Sequence, residues 1–153
     1  YYTSMKITYN IDRFPLVKVF FNDDPDPKNR YYDDFMNYWE ENYKKKQYFK
    51  FLMDLTNLTK PNLLKLKDFM SRLVKLKNKE ETYLKYSVLV INNSIVSGTL
   101  NFLWRIHPPL NTVYMASTNL IAESLIKMLD QNVNDSILTL FMFENNITKI
   151  LPK

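Results

Sequence analysis

Three observations predict an α/β domain with one mixed sheet, parallel at its core. Residues 86–115 (YSVLVINNSIVSGTLNFLWRIHPPLNTVYM) pass from a β-type apolar run through a polar turn into a helix-length apolar segment, a Pro-Pro stop and a second β-type run. The same order of apolar strand and amphipathic helix occurs once before, over residues 48–76. With 153 residues, 46% of them hydrophobic, the chain suits one domain that buries a single core without disulfides or metal.

The elements run in order from the amino end. Residues 5–12 (MKITYNID) and 14–22 (FPLVKVFFN) are β-prone runs joined at Asp12 and Arg13, expected to pair as an antiparallel hairpin at the sheet edge. A loop with Pro25 and Pro27 leads to a helix over 31–43, whose Phe35, Tyr38, Trp39 and Tyr43 share one aromatic face. Residues 48–55 (YFKFLMDL) form a central parallel strand that closes on a turn, Thr56, Asn57, Leu58 and Thr59. A helix from about Pro61 carries Leu63, Leu66, Met70, Leu73 and Val74 to Leu76, and Asn78 breaks it before a short helical piece over 80–86. The strand 88–91, the helix 94–106, the stop at Pro108 and Pro109, and the strand 112–116 come next. Ser117, Thr118 and Asn119 offer caps for a last helix through Asp130. Residues 137–143 (ILTLFMF) form either an extra strand or an apolar tail across the domain. The organisation expected is one domain over 5–130 and a C-terminal segment over 131–153.

Composition narrows the function. No cysteine is present, which excludes thiol catalysis, disulfides and cysteine-ligated zinc or iron-sulfur sites, and the single His107 leaves little for a histidine metal site. No apolar run reaches the ~20 residues that cross a bilayer, and the first residues lack the plan of a signal peptide, so a cytoplasmic protein is expected. The net charge of +5 is mostly lysine and fits an AT-rich coding bias better than a phosphate-binding surface, which favours arginine. Nucleic acid is therefore not an expected partner. The Asn-x-Ser/Thr triplets at Asn57, Asn92, Asn134 and Asn146 are read as chance in an Asn-rich chain.

The order of edge strands and strand-helix units, with the phrases FPLVKVFF, YFKFLMDLTNLT, YLKYSVLVINN and LNFLWRIHPPLNTVYM, resembles the STAS domain over residues 5–130. Within that group it is similar to the small STAS-like proteins of large nucleocytoplasmic DNA viruses, and more distantly to bacterial STAS/SEC14-type proteins. The resemblance implies a non-enzymatic interaction module without cofactor, located in host cytoplasm or virion if viral. It also leaves a second reading open, a protein that holds a small apolar ligand. In the sporulation anti-anti-sigma members of the family a serine at the helix start is phosphorylated as a switch. This chain places Asn62, Leu63, Leu64 and Lys65 there after the matching Asp54, Leu55 and Thr56, so the switch serine is missing. Thr59 is the nearest hydroxyl, and its ordinary reading is a helix cap.

In open α/β sheets ligands and partners meet the loops at the carboxyl ends of the strands. That rule selects Thr56, Asn57 and Thr59, and Asn92, Asn93 and Ser94, with turn and capping chemistry as their ordinary role. Gly98, the only glycine, lies inside a helix, where close packing against the sheet is the expected reason and approach by a ligand the alternative. Lys65, Arg72, Lys75 and Lys79, with Asp68 among them, form a mostly basic stripe that reads as a solvated helix face. His107 reads as a helix C-terminal residue, and Asp23, Asp24 and Asp26 as a solvent loop lacking the spacing of a calcium site. Ile137, Leu140, Phe141 and Phe143 are too apolar to leave in water and either complete the core of the domain or form an interaction tail for a protein partner or a second copy.

Overall fold

The computed structural model describes residues 7–22, 31–59, 63–77 and 82–152. The strands are β1 (Ile7–Asn10), β2 (Leu16–Asn22), β3 (Phe49–Asn57), β4 (Leu84–Val90), β5 (Val113–Ala116) and β6 (Thr148–Ile150). The helices are α1 (Tyr31–Lys44), α2 (Leu63–Lys77), α3 (Ser94–Ile106), α4 (Asn119–Asp130) and α5 (Asp135–Glu144). The six strands form one sheet in sequence order, β1-β2-β3-β4-β5-β6. β2 to β5 are mutually parallel, and β1 and β6 add antiparallel edges. The expected mixed sheet, its parallel core and its N-terminal hairpin are all present. The acidic loop with Asp23, Asp24 and Asp26, the Pro61 and Asn62 helix entry, the Asn78 break and Lys79 lie outside the described residues.

Register fixes which side chains share a face. Val19, Met53, Leu89, Met115 and Thr148 align across one face, and Lys18, Leu52, Val88, Tyr114 and Lys149 across the other. α1, α2 and α3 each link one parallel strand to the next, and all three pack on the first face. The cause is the uniform right-handedness of such crossovers: a sheet that grows in one direction keeps its crossover helices on one side. The second face is covered by α4, whose Ala122, Leu125 and Ile126 bury Leu16, Leu52, Val88 and Val90.

The first-face core is aromatic at its centre. Phe35 and Trp39, one turn apart on α1, meet Phe51 of β3 at 5.4 and 5.2 Å between ring centroids and Phe69 of α2 at 5.5 and 5.8 Å. Phe21 of β2 meets Phe35 edge-on at 5.3 Å. Geometries of this kind add about 0.5–1.5 kcal/mol per pair beyond area burial, so this cluster ties α1 and α2 to β2 and β3.

Three local expectations change. Tyr86 does not end a helical piece: among the described residues β4 starts at Leu84, which is fully buried and pairs with Phe49. The apolar-polar alternation from Leu84 to Val88 is the strand signal in the sequence, although an irregularity in the register turns Leu84 to the first face and Tyr86 and Val88 to the second. The turn expected at Thr56 begins later, since β3 runs to Asn57 and the Leu58 N–H then donates to Leu55 O at 3.0 Å. Residues 137–143 are neither strand nor loose tail but the body of α5. Asn134 caps it by accepting from Ser136 N at 2.7 Å, and Asp135 occupies its first turn. A short run apolar on all sides has no period with which to separate helix from strand. The added strand lies further on, at β6.

Gly98 is not packed against anything. It is exposed on α3, and a Cβ built there meets no described atom within 4 Å. Close packing is therefore not the reason for it. Glycine is absent from the positions that favour it: Lys46, Asn132 and Asn146 hold φ of 53°, 51° and 53° just past the ends of α1, α4 and α5. Each sits in a Schellman motif, as shown by Gln47 N to Asn42 O at 3.1 Å, Val133 N to Met128 O at 3.3 Å and Ile147 N to Met142 O at 2.9 Å. Asparagine tolerates this conformation, whereas lysine is strained in it. Gly98→Ala should raise stability by about 0.5–1 kcal/mol, and Lys46→Gly by up to about 1 kcal/mol. Both should appear as a higher urea midpoint at unchanged slope; a lower midpoint for G98A would show that the helix needs the missing side chain.

Candidate functional site

At the carboxyl ends of the parallel strands, several polar groups are engaged in the protein's own hydrogen bonds. Asp54 Oδ1 accepts from Thr56 N at 2.9 Å and Thr56 Oγ1 at 2.6 Å, while its Oδ2 accepts from Asn119 Nδ2 at 2.9 Å. The Asn93 side chain caps α3, accepting from Ile95 N at 2.8 Å and Val96 N at 3.3 Å, and Thr118 caps α4. Ser94 opens α3, and its carbonyl accepts from Ser97 Oγ at 3.3 Å. Asn57, Asn92 and Thr59 are exposed, and residues 60–62, between Thr59 and the first described residue of α2, lie outside the described residues. Of the loop residues selected from the sequence, Thr56 and Asn93 thus stiffen strand-to-helix turns. Sequence reasoning missed Asp54 and Asn119, which are 65 positions apart and meet only because β3 and α4 converge.

Burial alone would raise the Asp54 carboxyl pKa, but the bonds from Asn119 and Thr56 and the Lys18 charge bring it below the usual carboxylate range. Close by on the second face, Arg13 makes two bonds to Glu123 at 3.0 and 2.9 Å, and Lys18 lies 3.6 Å from the same carboxylate. Lys50 reaches Asp130 at 2.5 Å, and the Tyr86 hydroxyl donates to it at 3.0 Å. These groups clamp both ends of α4 to the sheet. Among the described residues no three His, Cys, Asp or Glu side chains are placed to hold a metal ion.

Of the basic stripe on α2, Lys75 is exposed as expected, and Arg72 alone is shown engaged. Arg72 is drawn to α1, where it donates to Asp33 Oδ1 at 2.7 Å and lies 3.7 Å from Glu40. His107 is the C-cap of α3, its N–H donating to Leu103 O at 2.8 Å, and its Nε2 lies 3.4 Å from Ser71 Oγ.

A cavity of about 100 Å³ lies between α2, α3 and the first face of the sheet. Trp39, Phe69, Leu73, Leu100 and Trp104 form its apolar walls, with Ser87 on its floor and His107 at its edge. Two apolar stripes are also exposed. On α3, Val96, Leu100 and Leu103 face the sheet and Trp104 turns to the cavity shared with α2; Ile95, Phe102 and Ile106, each more than half exposed, lie on the opposite flank. On α5, Leu138, Phe141 and Met142 pack inward, and Ile137, Leu140 and Phe143 point outward, Phe143 at 80% exposure. The four residues of the anticipated tail are thereby divided, Phe141 going to the core.

No family model, curated protein or solved structure matches this chain. Its function has to be inferred from geometry. Among the described residues no helix is long and apolar enough to cross a membrane.

The titrating groups give a two-sided pH prediction. Burial raises the pKa values of Tyr9, Tyr38, Tyr43, Tyr86 and Tyr114, and the Asp130 carboxylate adds to the effect at Tyr86. Stability held by these neutral phenols is present below the unfolded tyrosine pKa of about 10 and lost as pH rises beyond it. The depressed Asp54 acts oppositely: its contribution is present above about pH 4, the unfolded value, and lost as pH falls through the folded value. Absorbance at 295 nm should show these phenols ionising above pH 10 together with unfolding. Asp54→Asn should destabilise the protein at pH 7 and cost least in acid; equal loss at both pH values would refute the assignment.

Proposed function

We propose that this protein is a non-enzymatic interaction module of STAS-like type that self-associates through the β6 end of its sheet. The observation that carries the reading is the pair of outward apolar stripes there, Ile95, Phe102 and Ile106 on α3 and Ile137, Leu140 and Phe143 on α5. α3 lies on one sheet face and α5 packs on the cluster of the other, so the stripes flank the end of the sheet where β6 has one unpaired edge. Together they expose on the order of 600 Å² of apolar surface, at the upper end of what one monomer usually shows. A twofold contact would bury on the order of 1,200 Å², the lower end of the range for specific interfaces. The three-residue β6, with Lys149 in it, is too short and too charged to drive edge-to-edge pairing by itself. Helix contacts must carry the association.

The STAS-like assignment is supported by the antiparallel first strand followed by four strand-helix units in sequence order. The missing serine at Leu63 and Leu64 supports an association not gated by phosphate at the start of α2. A lipid-sized ligand has less support, because such pockets span roughly 300–1,000 Å³ and this cavity is about 100 Å³.

Sedimentation velocity across a concentration series should give a species of twice the 18.4 kDa chain mass. Phe143→Asp and Phe102→Asp are surface changes that leave the fold intact, and each should weaken the dimer by at least about tenfold, as hot-spot aromatics do. A chain that stays monomeric at a few hundred micromolar overturns the self-association.

A further inference from the structure

The sheet row that runs through the cavity floor contains Val17, Phe51, Ser87, Val113 and Ile150. Four of the five are hydrophobes of the first-face core. Ser87 is 2% exposed, and no described residue hydrogen-bonds its Oγ, which opens on the cavity. A hydroxyl that opens only on an apolar cavity has no protein partner to offset its desolvation, and alanine or valine would fill this place in the row at no such cost. The neighbouring polar group, Asn111, is engaged differently: its Nδ2 donates to Leu84 O and ties the segment after α3 to the start of β4. No described residue lining the cavity carries a carboxylate, ammonium or guanidinium. The surroundings therefore disfavour an ionic ligand and leave two neutral polar groups on the cavity, the Ser87 hydroxyl and the Trp39 indole N–H, which is buried without a partner among the described residues.

We propose that the cavity between α2, α3 and the sheet is a binding site for a small neutral molecule with an apolar ring or branched body and one hydrogen-bonding group directed at Ser87. The size limit comes from volume, since an engineered apolar cavity of about 150 Å³ accepts benzene and this one measures about 100 Å³. A ring of five or six atoms is thus the upper limit of size, and a fatty chain does not fit. The aromatic walls, Trp39, Phe69 and Trp104, offer faces and edges to such a ring. Access lies between α2 and α3, where Val74 is exposed and His107 half-buried. The site is on the opposite sheet face from α5 and does not depend on association.

Trp39 and Trp104 are the chain's two tryptophans, and both line the cavity, so their emission reports directly on occupancy. The full chain is titrated with phenol, toluene and benzoate, exciting at 295 nm, with thermal unfolding followed in parallel. Phenol and toluene should each give a saturable change, phenol binding about 3- to 10-fold more tightly because of one hydrogen bond. Benzoate should bind at least about tenfold more weakly than phenol, because its charge would be buried without a partner. Ser87→Ala should reduce phenol to the level of toluene and leave toluene unchanged. Leu100→Phe fills the cavity and should abolish both responses; Leu73→Phe fills it from the half-buried α2 side and serves if the first variant does not fold. Absence of a saturable response to both neutral probes at millimolar concentration overturns the site. Phenol binding that is unaffected in S87A overturns the role of the hydroxyl, and benzoate binding tighter than phenol overturns the neutral ligand class.

Discussion

The handedness of the crossovers governs this structure. Because β2, β3, β4 and β5 are laid down in order across the sheet, α1, α2 and α3 all fall on one face. The other face, with Leu52, Val88, Val90 and Tyr114, would then be open to water. The chain closes it with the helices beyond β5. α4 supplies the apolar cover, and its two ends are held by Arg13 and Lys18 at Glu123 and by Lys50 and Tyr86 at Asp130. α5 then lies against α4, and β6 returns to pair with β5. The same rule leaves the flank of α3 without a fourth crossover helix beside it. Its Ile95, Phe102 and Ile106 are exposed because the crossover series stops there.

A shortage of glycine shapes the local structure. Three helices end in the left-handed turn that glycine serves best, and the chain supplies lysine or asparagine each time. The motif forms because the hydrogen bonds of the last turn and the apolar contact beyond it outweigh the cost at one residue. Val133 and Ile147 come directly after the asparagines, where that contact is made in such motifs, whereas Gln47 follows Lys46. The one glycine, Gly98, instead occupies an exposed helix position where no neighbour within the described residues requires it. Nothing in the structure explains that placement.

Placing the side chains moves the functional weight away from the strand ends. There, Thr56, Asn93, Thr118 and Asn119 are occupied in caps and in the Asp54 network, and Asn57, Asn92 and Thr59 stay exposed. The free chemistry lies elsewhere. It consists of apolar surface on α3 and α5 and a hydroxyl on the floor of an apolar cavity. α3 takes part in both, serving the cavity with Leu100 and Trp104 on one flank and the outer surface with Ile95, Phe102 and Ile106 on the other.

The sequence by itself determined the fold class, the parallel core, the edge hairpin and α3, whose limits of Ser94 and Ile106 are set by the Asn93 cap and the prolines after His107. Those features are local: periodicity, capping and breakers act within a few residues. It also marked 137–143 as apolar, but not as a helix, because a run that is apolar on every side carries no period. Only the tertiary structure decided that Phe141 turns inward while Ile137, Leu140 and Phe143 turn out, since that depends on α4 lying beside α5. The bond between Asp54 and Asn119 and the transfer of Arg72 to Asp33 depend likewise on segments distant in sequence. Ser87 is the clearest case: in the sequence it is one small polar residue in a strand, and it becomes notable only when the sheet register and three helices enclose it.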